Sequence, residues 1–332
     1  MSQTNLYQQL AEAVGAGDSK RIQMIFEILV DESEAKVLLA ASPPATVDEI
    51  AEKSKVDAQE VEKMIPALFR KGLIFKSKKR EGPQKYYRVR HIPQMHDSTI
   101  VYPEVTQEVL DLWKGYMENE WSNYSLQMDA FLPGAVTRVL PVNISVESES
   151  RILAPDDVRD AVEKARNLAV TNCSCRIIDG KCEKPLEVCI QVDRAADYAI
   201  ERGTGRQITS AEAYEILKTC EEEGLVHVAD NRYPVGHVIC NCCDDCCMNW
   251  PPINAGAKNW TVPSRFQAVV DADSCEGCEE CMDRCFFDAI EMVDEVAKVD
   301  TEGCMGCGVC IVTCPTGAIT LKEIRSPDFI PE

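Results

Sequence analysis

The side chains best suited to chemistry are cysteines, and eight of them fall in two runs of identical spacing. Cys275, Cys278, Cys281 and Cys285 form the first, as C-x2-C-x2-C-x3-C. Cys304, Cys307, Cys310 and Cys314, followed by Pro315, form the second at a constant offset of 29 residues. Ala268, Val270 and Asp271 recur as Ala297, Val299 and Asp300, and Ala289-Ile290 recurs as Ala318-Ile319. Self-similarity of this kind marks a duplicated supersecondary unit. Thiolates three apart on a tight loop can reach three corners of one iron–sulfur cubane, which needs a thiolate at each of its four irons. The fourth cysteine of each run follows on a short helix that leads away from its own loop, so it is expected to serve the other half. Cys275, Cys278, Cys281 and Cys314 then hold one [4Fe–4S] cluster, and Cys304, Cys307, Cys310 and Cys285 hold the other. Gly277, Gly306 and Gly308 let the loops turn with positive φ, aiming backbone N–H groups at cluster sulfurs.

These residues resemble the bacterial-type two-cluster ferredoxins. The likeness covers Ala268–Lys322 and includes all eight ligand positions. Phe286 departs from it, standing where many such motifs carry proline. A pair of zinc knuckles would instead combine one CxxC with a distant second pair.

A second field of nine cysteines lies upstream: Cys173, Cys175, Cys182 and Cys189, then Cys240, Cys242, Cys243, Cys246 and Cys247. Reduced structural cysteines, being small apolar core residues, have no reason to gather this way. A further iron–sulfur cluster, a zinc site, or a redox-active dithiol would each account for them. If Cys242–Cys247 were helical, Cys242/Cys246 and Cys243/Cys247 would be i,i+4 pairs. If Ala169–Cys175 and Val235–Cys240 were strands paired in one sheet, Cys173 and Cys240 would meet. The doubled cysteines are similar to those of heterodisulfide reductase cysteine-rich domains, but Asp244 and Met248 follow the pairs here where those carry glycine. Cys220 sits on the apolar face of a helix opened by Thr209-x-x-Glu212 and reads as core; His227 and His237 read as satisfied structural residues.

The elements that position these cysteines are coarsely legible. Leu6–Ala13 and Arg21–Ala40 read as helical by their apolar spacing. Thr46-Val-Asp-Glu49 is a capping box, and Asp57 opens a helix bearing Val61, Ile65, Leu68 and Phe69 that stops at Gly72. Leu73–Lys76 and Tyr86–Val89 read as strands. This order resembles a winged helix-turn-helix domain over residues 20–92. Its wing is basic (Lys76, Lys78, Lys79, Arg80, Lys85, Arg88, Arg90), as phosphate contact requires. The helix that would read DNA offers Gln59, Glu60, Glu62 and Lys63, with Pro66 inside it. Val105–Gln127 reads as one helix, Arg138–Val146 as a strand, a helix starts at Pro155-Asp-Asp157, and Trp250–Pro263 reads as a linker.

Formal net charge is −20, which opposes general affinity for nucleic acid or anionic membranes. Residues 1–95 carry 15 Lys and Arg against 13 Asp and Glu, so the excess acid lies downstream. Met1–Gly17 lacks the pattern of a secretory leader, and no apolar run is long enough for a membrane span. A reducing cytoplasm, in an anaerobic setting, is expected.

The expected fold class is α+β multidomain: a winged-helix domain over 1–95, a helical and cysteine-rich α/β domain over 96–260, and a ferredoxin-like dicluster domain over 261–332. The expected function is single-electron transfer through two [4Fe–4S] clusters, to or from a further cluster in the middle domain and a partner oxidoreductase. Two alternatives stand beside it. One is an oxidoreductase subunit whose middle cysteine site reduces substrate. The other is an iron–sulfur redox sensor that binds DNA through its winged helix, although nucleic acid is not the expected partner. A stand-alone enzyme is not indicated.

Overall fold

A computed structural model describes residues 5–78, 82–142 and 157–331. Lys79 and Arg80 of the basic wing, residues 143–146 of the expected strand, and Pro155-Asp156 at the expected helix start lie outside the described residues. The chain forms two compact units. One comprises residues 1–124, 174–180 and 201–204; the other comprises 125–173, 181–200 and 205–332.

The first unit begins with α1 (Leu6–Ala13), α2 (Lys20–Leu29) and α3 (Glu32–Ala40). The stretch read as helical from Arg21 to Ala40 is thus two helices. Asp31 separates them by capping α3, and Glu34 returns the bond to the Asp31 N–H at 3.2 Å. Next come α4 (Val47–Ser54), capped by Thr46 and Glu49 as expected, and α5 (Ala58–Lys71), ended by Gly72. The wing is β1 (Ile74–Lys76) against β2 (Tyr86–Arg88), antiparallel, with an added bridge from Ala45 to Tyr86. Val61, Ile65, Leu68 and Phe69 are the buried face of α5. Then follow α6 (Ile92–Ile100), α7 (Gln107–Asn119) and α8 (Trp121–Asp129). The expected helix 105–127 therefore breaks at Glu120, whose backbone leaves the helical region and whose carboxylate pairs with Arg21 at 2.7 Å. Trp113 is fully buried, with its indole N–H on Thr99 Oγ1 at 3.0 Å.

The second unit is built on a seven-stranded mixed sheet. In chain order its elements, together with one short helix of the first unit, are β3 (Thr137–Leu140), α9 (Val158–Lys164), β4 (Leu168–Asn172), α10 (Ser174–Asp179, in the first unit), β5 (Glu187–Val192), α11 (Arg194–Arg202), β6 (Gly205–Gln207), α12 (Ser210–Glu222), β7 (Val226–Asp230), β8 (Val238–Cys242), α13 (Trp250–Asn254) and β9 (Thr261–Val262). The order across the sheet is β6-β4-β5-β8-β7-β3-β9, antiparallel except for β3 and β9. Side chains alternate across the pleat. Leu140, Leu168, Val170, Ile190, Val192 and Ile239 form a core with Val158 and Val162 of α9 and Leu217 of α12. Val139, Val226, Val228 and Cys242 belong to a separate apolar cluster with Trp250 and Val309. The expected linker at Trp250–Pro263 is thus structured: it supplies a buried tryptophan and a strand of the sheet.

The repeat folds as two interleaved halves. β10 (Phe266–Val270), α14 (Glu280–Arg284) and β11 (Ile290–Val293) make one; β12 (Val296–Val299), α15 (Val309–Val312) and β13 (Ile319–Glu323) make the other. β10 pairs with β13 and β11 with β12, so every ladder joins one half to its copy. Ala268, Ile290, Ala297 and Ile319, all members of the sequence repeat, lie together in the core.

Candidate metal centres

The interleaving brings the C-terminal cysteines together in two recesses. One, enclosing about 330 Å³ of space partly open to solvent, is lined by Cys275, Cys278, Cys281 and Cys314. The other, about 400 Å³, is lined by Cys285, Cys304, Cys307 and Cys310. Each recess therefore takes three cysteines from one loop and its fourth from the other half.

The residues around these recesses suit an iron–sulfur cubane. Gly277, Gly306 and Gly308 adopt φ of 67°, 65° and 76°, in the left-handed region. At Gly306 a Cβ would lie 2.1 Å from the Phe266 carbonyl oxygen, so the loop has no room for a side chain. That loop is pinned from outside: the Val142 N–H donates to the Cys307 carbonyl at 2.8 Å, and the Ser264 hydroxyl donates to the Gly306 carbonyl at 2.7 Å. Burial opposes ionisation of Cys314, yet hydrogen bonds from Thr316, Ile319 and Ala318 hold its thiol below the ordinary value. Burial pushes Cys307 up to about 12 and raises Cys310 well above the usual range. Such thiols become thiolates when a cation sits among them, because the local charge then inverts the balance.

The middle cysteines gather into two groups. Cys189 on β5 is crowded by Cys173, which follows β4, and by Cys240 on β8, and these neighbours push its thiol well above the ordinary range. Cys242, two residues along β8 from Cys240 and hence on the same face, is raised in the same way by Cys240 and Cys247. These five form one nest, and the Asn249 side-chain amide donates to the Cys242 sulfur at 3.5 Å. β4 and β8 lie in one sheet but do not pair; β5 stands between them and contributes Cys189. The second group is Cys182, Cys243 and Cys246 with Asp245, whose ligand atoms all lie within 4.8 Å of one another. Cys175 is buried on α10 in the first unit. Cys242 ends a strand and residues 244–246 form a turn, so the i,i+4 helical pairing does not occur. All eighteen cysteines are among the described residues and none is in a disulfide.

Three aromatic residues connect these features. Trp250 packs against Phe286 and Phe287 at ring-centroid distances of 5.6 and 5.3 Å. The same apolar cluster contains Cys240, Cys242 and Cys247 of the nest and Cys307 of the larger recess. Phe286, the departure from the usual proline, is thus among the residues that pack the C-terminal repeat against the middle sheet. Cys220 is fully buried. His227 is buried, with Asn241 Oδ1 at 2.5 Å and Glu221 at 3.3 Å on its two ring nitrogens.

Among the described residues of the basic wing, Lys76, Lys85, Arg88 and Arg90 have partners. Lys76 pairs with Glu201, and Lys85 with Glu49 at 3.4 Å. Arg88 donates to the Ala13 and Val89 carbonyls at 2.9 and 2.8 Å. Arg90 lies over the Tyr87 ring at 4.1 Å. Lys78 is exposed, and so are Gln59, Glu60, Glu62 and Lys63 of α5.

Among the described residues no helix is long and apolar enough to cross a membrane. Neither the curated proteins nor the solved structures contain a match to the chain. Residues 23–92 match the family model described as sugar-specific transcriptional regulator TrmB, and residues 268–291 and 297–320 match that of the 4Fe-4S binding domain. The chain is therefore an iron–sulfur-type protein that joins an N-terminal winged-helix-type domain to a C-terminal 4Fe-4S domain of two repeats.

Proposed function

We propose that the protein transfers single electrons between a centre in its cysteine-rich middle region and a docked redox partner, by way of two [4Fe–4S] clusters. In this reading the functional parts are residues 1–95, 96–260 and 261–332. Cys275, Cys278, Cys281 and Cys314 ligate one cluster; Cys304, Cys307, Cys310 and Cys285 ligate the second. The nest of Cys173, Cys189, Cys240, Cys242 and Cys247 holds a third. Such clusters supply one-electron redox chemistry when bound. The chain's own residues hold the thiolates in place and direct backbone N–H groups at them.

The observation that carries the proposal is the shared apolar cluster of Cys240, Cys242, Cys247, Trp250, Phe286, Phe287 and Cys307. It leaves the nest and one recess separated by packed side chains rather than solvent, as an internal electron path requires. The net charge of −20 would steer the protein toward a basic patch on an oxidoreductase. Protein purified without oxygen should contain about twelve irons per chain, four for each cubane, and stepwise reduction should show a third paramagnetic centre. About eight irons, with no third centre, would remove the relay.

A second reading is a redox-sensing regulator that binds DNA, and the match of residues 23–92 to a transcriptional regulator family favours it. Against it stand the exposed Glu60 and Glu62 on α5 and the engagement of Lys76, Lys85 and Arg88 by Glu201, Glu49 and backbone carbonyls. We therefore read the winged helix as a protein-contact module.

A further inference from the structure

We infer that Cys182, Cys243, Asp245 and Cys246 form a separate mononuclear site for a thiophilic divalent cation, zinc above all, distinct from every iron–sulfur centre of the chain. The inference does not depend on the electron-relay reading, because zinc has no redox chemistry of its own.

The separation between donor atoms decides the nuclearity. A tetrahedral ion with Zn–S bonds of about 2.3 Å holds its sulfurs about 3.8 Å apart. Thiolates on different corners of a cubane stand roughly 6 Å apart, because the irons themselves are spread. Here Cys182 Sγ lies 3.9 Å from Cys243 Sγ, and Cys243 Sγ lies 3.1 Å from Cys246 Sγ. The Asp245 carboxylate falls within the same 4.8 Å limit as the three sulfurs. That span fits the donor shell of a single ion. Three thiolates and one carboxylate are a donor set that zinc accepts in tetrahedral geometry.

The local chain explains why these residues converge. Adjacent residues at the end of an extended strand point to opposite sides. Cys242 therefore turns into the five-thiol nest while Cys243 turns away from it. After the turn at residues 244–246, Cys246 returns to Cys243 and Cys247 returns to Cys242. The doubled cysteines thus divide one to each site. Cys182 arrives from the loop between α10 and β5, and the Lys184 N–H donates to its sulfur. A carboxylate oxygen of Asp245 lies within 4.8 Å of all three sulfurs. Asp245 is exposed, Cys182 and Cys246 are half-buried and Cys243 is buried, so the ion would lie at the surface with its carboxylate ligand outermost. The site would tie the loop of Cys182 to the turn after β8.

The test uses the full chain, purified without oxygen, loaded with Zn²⁺ and dialysed, with zinc and iron measured separately. The expected result is one tightly held zinc per chain. Absorption at the zinc edge should show three sulfurs at about 2.3 Å and one lighter atom at about 2.0 Å. Cys182→Ser should abolish zinc retention and leave the iron content unchanged. The conservative Asp245→Asn should fold and weaken zinc binding by about tenfold or more. Co²⁺ in place of zinc should give the intense visible bands of a tetrahedral thiolate site, and these should shift in Asp245→Asn. Failure of the wild type to retain zinc overturns the inference. So does a Cys182→Ser chain that keeps its zinc, or one that loses about four irons, a whole cubane. A Cys243–Cys246 disulfide in protein kept under reducing conditions would overturn it as well. Retention or loss of zinc by the wild type leaves the count of twelve irons that tests the relay unchanged.

Discussion

The indole of Trp250 stands 5.6 Å from the ring of Phe286, which ties the start of the short α13 to the residue directly after the fourth cysteine of the first iron–sulfur run. Phe286 occupies a place where proline would stiffen the loop but could not fill this contact. The pair adds a side-chain contact to the backbone hydrogen bond from Val142 to Cys307 between the middle region and the duplicated C-terminal fold.

Trp250→Ala should therefore destabilise the second unit by about 3–5 kcal/mol, the usual cost of emptying a buried tryptophan site. Phe286→Pro is the sharper variant. It should retain the iron of both C-terminal clusters, since no ligand changes, while lowering the unfolding midpoint and slowing electron exchange with the middle centre. Thermal unfolding and stopped-flow reduction check this, and unchanged exchange in Phe286→Pro would detach the aromatic contact from electron transfer.

Exchange of ligands between the halves predicts an asymmetric defect. Cys314→Ala should damage the cluster of the Cys275 loop more than that of the Cys304 loop, and Cys285→Ala should do the reverse. Site-resolved paramagnetic spectra distinguish the two. The opposite pattern would mean that each fourth cysteine serves its own loop.

The nest makes a prediction about iron alone. Cys242→Ser combined with Cys247→Ser should remove about four irons and leave about eight. Iron and acid-labile sulfide analysis reads the change directly, and retention of about twelve would move the third cluster elsewhere.

For the winged helix, the intact chain should bind duplex DNA no more tightly than the non-specific range of about 10⁻⁴–10⁻⁶ M at physiological salt. Glu60→Gln with Glu62→Gln should raise that affinity and steepen its salt dependence less than a gained cation would. Tight, sequence-specific binding by the wild type, measured by fluorescence anisotropy, would instead make the protein a regulator.

Gly72 tests how the first unit is held together. It ends α5 at φ 80°, and a Cβ there would lie 2.5 Å from Arg202 Nη2, 2.6 Å from Ser98 Cβ and 2.8 Å from the Ser98 carbonyl oxygen. Gly72→Ala should cost more than about 1 kcal/mol, because an L-residue is strained at positive φ even where space allows. Denaturant unfolding followed in the first unit would show it; a neutral substitution would mean that Arg202 and Ser98 move aside freely.

The amino-acid sequence by itself determined whatever depends on local spacing. The eight C-terminal cysteines, their 29-residue duplication and the glycines with left-handed backbone are covalent facts read over a few residues. The capping box at Thr46 and the stop at Gly72 are equally local, since each depends on hydrogen bonds or dihedrals within one turn of chain. Tertiary structure decided what depends on neighbours distant in the chain. β5 carries the alternation of a half-buried strand in Val188, Ile190 and Val192, but only the sheet order places it between β4 and β8, where it carries Cys189 into the nest. Cys242 and Cys243 are chemically identical and adjacent, and only the pleat of β8 sends them to different sites. Asp245 and Trp250 are ordinary residue types; the gathering of thiols around one and the aromatic contact at the other arise because Cys182 and Phe286 fold back onto them from outside their own segment.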